Sequence, residues 1–248
     1  MTHKKQLGTN RLIRPVVVLA LVATLGVTTW QHSTSAITES SGATTEKQQL
    51  AQLQTRASSE IDRRIKSLTA LTPLVAKLTN PKPMEQKSYH DAVTKEIKTL
   101  QQYGAAINGD ATLAAATTDA QKLTPEYTAF MVLVPKTWLI VTADWQQVLA
   151  AKLTTYANKV QDRLSTASNA GKDTSAAQIT LNDLRSHVSL AQGASDEVAK
   201  DVPQTQLGQY NANHAVLVTH YTKLNTAHSN LKVAFEDAKK LLDAVKKL

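Results

Sequence analysis

From residue 46 to the end of the chain, apolar residues return at steps of three and four, and that period is the signature of amphipathic α-helix. The first run is Leu50, Leu53, Ala57, Ile61, Ile65, Leu68, Leu71, Val75 and Leu78. The last is Leu217, Tyr221, Leu224, His228, Leu231, Phe235, Ala238, Leu242 and Val245, a heptad seam that needs a partner helix. With Gly at 8, Pro at 7 and aromatics at 4%, the chain lacks the turn-rich and β-rich segments of a sandwich or barrel. The expected fold is all-α: an elongated helical bundle, or antiparallel coiled-coil hairpins, over residues 46–248.

Breakers divide this pattern into helices. Asn80, Pro81 and Pro83 stop the first, because Pro lacks an amide donor and biases the residue before it away from helix. Gly109 is expected to end the second in a left-handed cap, with Asp110 capping a short Ala-rich helix to Leu123 and a break at Thr124-Pro125. The helix from Pro125 to about Ser168 is the longest, and Asn169-Ala-Gly171 ends it. Spacing of ~100° per residue sets Tyr127, Val134, Trp138, Val141, Trp145, Val148 and Lys152 on one seam. Between residues 130 and 141 the other side is apolar too, so this stretch is the expected buried middle, kinked at Pro135. Lys136 falls roughly opposite the seam, where its loss should matter little. Asp173 or Thr174 caps the next helix, a loop passes Gly208, and Asn213 caps the last.

The N-terminus carries an address. Lys4, Lys5, Arg11 and Arg14 precede an apolar run over residues 15–30, and Ser33-Thr-Ser-Ala36 supplies small residues at its exit. Those four cations make half of the net +8; the remaining +4 is spread through the helices, which argues against nucleic acid as a partner. At about 15 residues the run is short for a spanning helix, which needs ~20, and favours a signal peptide cut after Ala36 over an N-terminal membrane anchor. The division is then 1–36 signal or anchor, 37–45 flexible tether, 46–248 helical domain. Either form places the chain outside the cytoplasm, secreted or held at the membrane by its N-terminal segment.

Chemistry-bearing groups are sparse. Zero Cys excludes thiolate nucleophiles, Cys-ligated metals and disulfides. His214, His220 and His228 share the last helix, but none stands four residues from another, as a zinc-binding helix requires. No Glu is followed by His three residues later, so the di-metal motif of helical bundles is missing. No phosphate loop or nucleophile elbow occurs. What remains is an aromatic stripe, Tyr127, Trp138, Trp145 and Tyr156, with Asp144 on its flank. Its simplest role is core, with Trp138 enclosed by other helices. Tyr127, Trp138, Asp144 and Trp145 are the candidate ligand or partner contacts; no catalytic, cofactor or metal residue is expected.

Several segments carry a resemblance: Tyr127-Thr-Ala-Phe-Met-Val-Leu-Val-Pro-Lys136, Ala143-Asp144, Lys159-Val-Gln-Asp-Arg163, the Ala170-Gly-Lys-Asp173 turn, and Tyr210-Asn-Ala-Asn213 before the last helix. Together they resemble a family of exported all-helical, coiled-coil-like proteins of small-genome bacteria that has no assigned activity. That likeness implies export and an all-α fold and assigns no functional residue. The resulting expectation is a non-enzymatic scaffold or partner-binding protein of the cell envelope. It would need no cofactor, bind protein or an envelope component, and self-associate through its helix seams if at all. The alternatives are a binder of glycan or lipid between residues 130 and 145, and an enzyme.

Overall fold

The computed structural model describes residues 45–80, 83–213 and 215–248; the signal or anchor and nearly all of the tether lie outside them. Within them are seven α-helices and no strand: α1 Glu46–Val75, α2 Pro83–Gly109, α3 Leu113–Gln121, α4 Leu123–Asn169, α5 Ser175–Asp201, α6 Leu207–Ala212 and α7 Ala215–Val245, with a 3-10 turn Val202–Gln204 after α5. The fold is an all-α bundle.

The 47-residue α4 organises the packing. At ~1.5 Å per residue it is roughly 70 Å long, and different helices cover its two halves. Around its first half, Phe130 and Val134 pack with Ile61, Leu68 and Leu71 of α1, Val93, Leu100 and Ile107 of α2, and Ala120 of α3. Around its second half, Ala150, Leu153, Ala157, Val160 and Leu164 meet Leu181, Leu184 and Val188 of α5 and Ala227, Leu231 and Ala234 of α7. A third cluster joins the halves, with Val75 at the end of α1 and Leu78 after it, Leu139, Ile140 and Ala143 of α4, Val198 of α5 and Val202 of the 3-10 turn, and Leu217 and Leu224 of α7. Val132, Val134, Leu139 and Ile140 are buried, while Leu133, Trp138 and Val141 of the same stretch are half-buried, so the expected burial all round is met on part of the circumference.

Hydrogen bonds fix the directions. Gln54 near the start of α1 donates to the carbonyls of Ile107 and Asp110, while Gln86 near the start of α2 donates to those of Val75 and Ala76, so α1 and α2 are antiparallel. Gln161 pairs with Gln178, and Gln147 with Asp196, making α4 and α5 antiparallel. Gln146 donates to the Leu224 carbonyl and Tyr156 to the Ala238 carbonyl, so α4 and α7 run the same way.

Several local expectations are corrected. Gly109 does not adopt a left-handed cap; Gly171, with φ 79°, is the described residue in that region, and it ends α4 as expected. Asp110 is not the α3 cap: the Thr112 hydroxyl accepts from the Ala115 amide instead. The break before α4 falls at Lys122, not at Thr124-Pro125, because Pro125 becomes the third residue of α4, where an amide has no intrahelical partner to lose. α1 stops at Val75 instead of reaching Asn80. The stretch around Gly208 forms the short α6. Asp173 and Asn213 each accept from the amide two residues on, Ser175 and Ala215, closing Asx turns that lead into α5 and α7, while the α5 cap position itself is Thr174.

Two seams are also shifted. On α7 the buried positions are Leu217, His220, Leu224, Ala227, Leu231, Ala234 and Leu241, whereas Phe235 and Leu242 are 45% and 48% exposed. Small Ala227 and Ala234 let three helices approach closely, and that contact outweighs the larger apolar area of the neighbouring stripe. On α4 the second-half seam is 146, 150, 153, 157, 160 and 164, leaving Lys152 exposed and Trp138, Trp145 and Val148 half-buried.

Lys136 is not idle. Its ammonium donates to the carbonyls of Pro203 (2.7 Å) and Thr205 (3.0 Å), in and just after the 3-10 turn, and burial pushes its pKa below the ordinary lysine value. Lys136→Ala should cost about 1–3 kcal/mol, the worth of charged hydrogen bonds at a half-buried site. Urea unfolding of the variant against the parent measures it; a change under ~0.5 kcal/mol would mean that the turn finds water instead.

Candidate functional site

Where the two halves meet, α4 and α7 part slightly and leave an apolar cleft of about 210 Å³. Trp138, Val141, Thr142, Trp145 and Gln146 line it from α4, Tyr221, Leu224, Asn225 and His228 from α7, and Leu74 from the end of α1. The geometry follows from spacing. Trp138 and Trp145 are seven residues apart, two turns of one face, and so are Tyr221 and His228 on the helix running alongside. Trp138, Trp145, Tyr221 and His228 are each half-buried; Trp138 packs against the first-half core, and with Trp145 it also forms one wall of the cleft.

The floor of the cleft is fixed by polar bonds. Gln146, buried on α4, donates through Nε2 to the Leu224 carbonyl at 3.0 Å, and its Oε1 accepts from the Ser195 hydroxyl at 2.8 Å. One amide thus links α4, α5 and α7, and both its ends are engaged. His228 Nδ1 is buried and has no hydrogen-bond partner.

Asp144 faces elsewhere. It is buried, and its carboxylate accepts from the amide of Thr79 (3.0 and 3.1 Å) and of Asn80 (2.6 Å), closing the turn after α1. With Asn80, Glu85, Tyr89, Gln147 and Lys200 it borders a second recess of about 240 Å³ on the α5 side. Structure therefore brings Trp138 and Trp145 together and separates Asp144 from them. The backbone of Tyr127 belongs to α4, but its side chain lies outside the described residues. Sequence reasoning placed Tyr221 and His228 on a seam of their own; nothing in the spacing of one helix tells which face of another it meets.

His187 and His220 sit between packed helices. His187 Nδ1 lies 2.9 Å from Asn230 Oδ1, bridging α5 and α7. His220 is 8% exposed with Nδ1 unpartnered; burial, then Lys223, lower its pKa, while Asp201 and Glu197 act in the opposite sense. No group of three or more His, Asp or Glu placed to hold a metal occurs among the described residues.

A pH dependence follows from His220. Its folded pKa lies below the unfolded ~6.5, so between the two values the unfolded chain binds more protons and stability falls as pH falls. Urea midpoints should decline as pH drops below about 6.5, and His220→Leu should flatten that decline. An equal slope in parent and variant would remove His220 as its source.

No family model, curated protein or solved structure matches the chain.

Proposed function

We propose that the protein is an exported, non-enzymatic helical scaffold that binds a partner protein at the cleft between α4 and α7. The observation that carries this reading is the placement of Trp138 and Trp145. In a chain with 4% aromatics, both stand half-buried on one open, apolar wall, with Tyr221 opposite. Trp and Tyr concentrate binding energy at protein interfaces because a rigid ring buries large area at low entropic cost.

Volume favours protein over the alternatives. A cleft of 210 Å³ is below the ~300–1,000 Å³ usual for drug-sized ligands and suits one large side chain better than an extended glycan or lipid. The surface that the cleft exposes is nearly all apolar, and of its polar side chains Gln146 is occupied at both ends, so it offers little to a sugar's hydroxyls. The non-enzymatic reading draws on the same layout, since Asp144 is held by backbone amides away from His228. The finer architecture fits a spacer: antiparallel hairpins strung along α4 as an elongated rod. Export rests on the basic and apolar segments of residues 1–36 and on the resemblance to exported helical proteins.

A photo-crosslinking amino acid at position 145 of the full-length chain tests binding in intact cells. A discrete protein adduct is expected from position 145 and not from exposed Ser189 on α5; no adduct, or equal adducts from both, overturns the reading. Intact-mass analysis tests the address. The expected product is extracytoplasmic and begins at Ile37, or retains Met1 in the membrane if the segment is an anchor, whereas recovery in the cytoplasm alone overturns export.

A further inference from the structure

The cleft is the head of a longer surface. Along α7 every seventh residue from Tyr221 is apolar or aromatic: Tyr221, His228, Phe235, Leu242. The last two are among the large apolar side chains left exposed. α4, running parallel beside it, sets Trp138, Trp145, Leu149 and Tyr156 toward the same seam, and Tyr156 bonds across it to the Ala238 carbonyl. These residues form one apolar stripe about 20 residues long, roughly 30 Å.

Cations border it on both sides. Four residues after His228, Phe235 and Leu242 come Lys232, Lys239 and Lys246; on α4 the matching border holds Lys152, Lys159 and Arg163. All six are exposed. Glu236 and Asp243 lie on the α7 side, each paired to a lysine of that row, Lys239 and Lys246. Lys239 also stands over the Phe235 ring, 4.9 Å from its centroid, so the cationic border closes on the stripe.

This pattern restricts the occupant. A flat lipid surface meets the lysines but cannot fill a recess between two helices. A second copy of the chain brings net positive charge of its own. An α-helix with a large apolar side chain at one position and further apolar residues seven and fourteen positions on matches the heptad rise of α7, and acidic flanks match both borders. Resting on the partner-binding reading above, we propose that the α4–α7 groove docks an acidic amphipathic helix of a partner protein, which seats one large apolar side chain between Trp138 and Trp145.

The probe is a labelled helical peptide of roughly 20 residues, with Trp and two Leu at heptad spacing and Glu on both flanks, compared with the same peptide carrying Lys for Glu. Fluorescence anisotropy with the full-length chain should give at least about tenfold tighter binding of the acidic peptide, weakened in about 0.5 M salt. The variant Lys232→Glu with Lys239→Glu and Lys246→Glu, all at exposed positions, should reverse the preference while circular dichroism stays that of the parent. Trp145→Ala should weaken both peptides. Equal binding of the two peptides, no effect of charge reversal, or binding of anionic phosphatidylglycerol vesicles in place of the peptide overturns the proposal. The crosslinker at position 145 separates it from the broader reading: if that residue still captures a discrete protein in cells while neither peptide binds, the cleft is a recognition point and the docked acidic helix is wrong.

Discussion

Arg64→Ala is expected to destabilise the protein by about 3–5 kcal/mol. Arg64 is 1% exposed in the middle of α1, an extreme burial for a guanidinium. Its Nε donates to Glu60 Oε1 at 2.8 Å, Nη1 reaches the Leu123 carbonyl at 3.3 Å, and the group stands 5.9 Å from the Phe130 ring centroid. One side chain therefore adds a second bond to a carbonyl of the first turn of α4 and ties that turn to α1. Truncation opens a cavity and removes the charged contacts that hold the two helices together. Arg64→Met should recover much of the loss, since an apolar chain of similar volume refills the space without desolvating a charge. Glu60 adds a pH signature. Burial would raise its pKa, but the Arg63 and Arg64 guanidiniums outweigh burial and hold it below the ordinary glutamate value. Its contribution is present above the unfolded ~4.3 and lost as pH falls through the lowered folded pKa, so acid unfolding should be less steep in Arg64→Ala. Urea titrations at neutral and acid pH read both effects; a variant within ~1 kcal/mol of the parent would show the site to be wet and forgiving.

The second large effect is expected at Asp144. Asp144→Ala removes a buried carboxylate that accepts from two backbone amides, and should cost about 2–4 kcal/mol because the amides of Thr79 and Asn80 lose a charged acceptor in a part-buried turn. Asp144→Asn keeps one oxygen and should lose about half as much. Hydrogen exchange gives a local readout: the Thr79 and Asn80 amides should lose protection first, ahead of α5 and α7. Uniform loss of protection, or unchanged stability in the Ala variant, would rule out a cap and reopen a ligand role for this carboxylate.

Helix existence was legible because period, caps and breakers agree, and α1, α4 and α7 lie close to where the pattern places them. Helix phase was not. On α1 the apolar pattern steps from Ile61 to Ile65, yet the buried step is Ile61, Arg64, Leu68. On α7 the stripes 221, 228, 235, 242 and 220, 227, 234, 241 differ by one residue, and hydrophobicity alone selects the bulkier. Packing selects the one whose alanines let neighbours close in. The candidate site was half legible for the same reason. Trp138 and Trp145 share an arc that spacing reveals, but whether that arc is core or wall depends on α7 taking the other phase, which turns Tyr221 and His228 toward it and leaves the space open.

Arg64 meets Leu123 and Thr79 meets Asp144, so α1 also runs with α4, and the shared direction of α1, α4 and α7 has a mechanical consequence. Leu78 just beyond α1 packs beside Ala143 of α4, and α7 follows the second half of α4 toward its end. Tension applied between Thr45 and Leu248 would therefore slide helices lengthwise past one another, breaking many interlocked side-chain contacts at once. It would not peel them apart one turn at a time. Rupture in that geometry is governed by the unfolding barrier and not by equilibrium stability, so the protein should transmit force along α4 better than a bundle whose first and last helices enter from the same end.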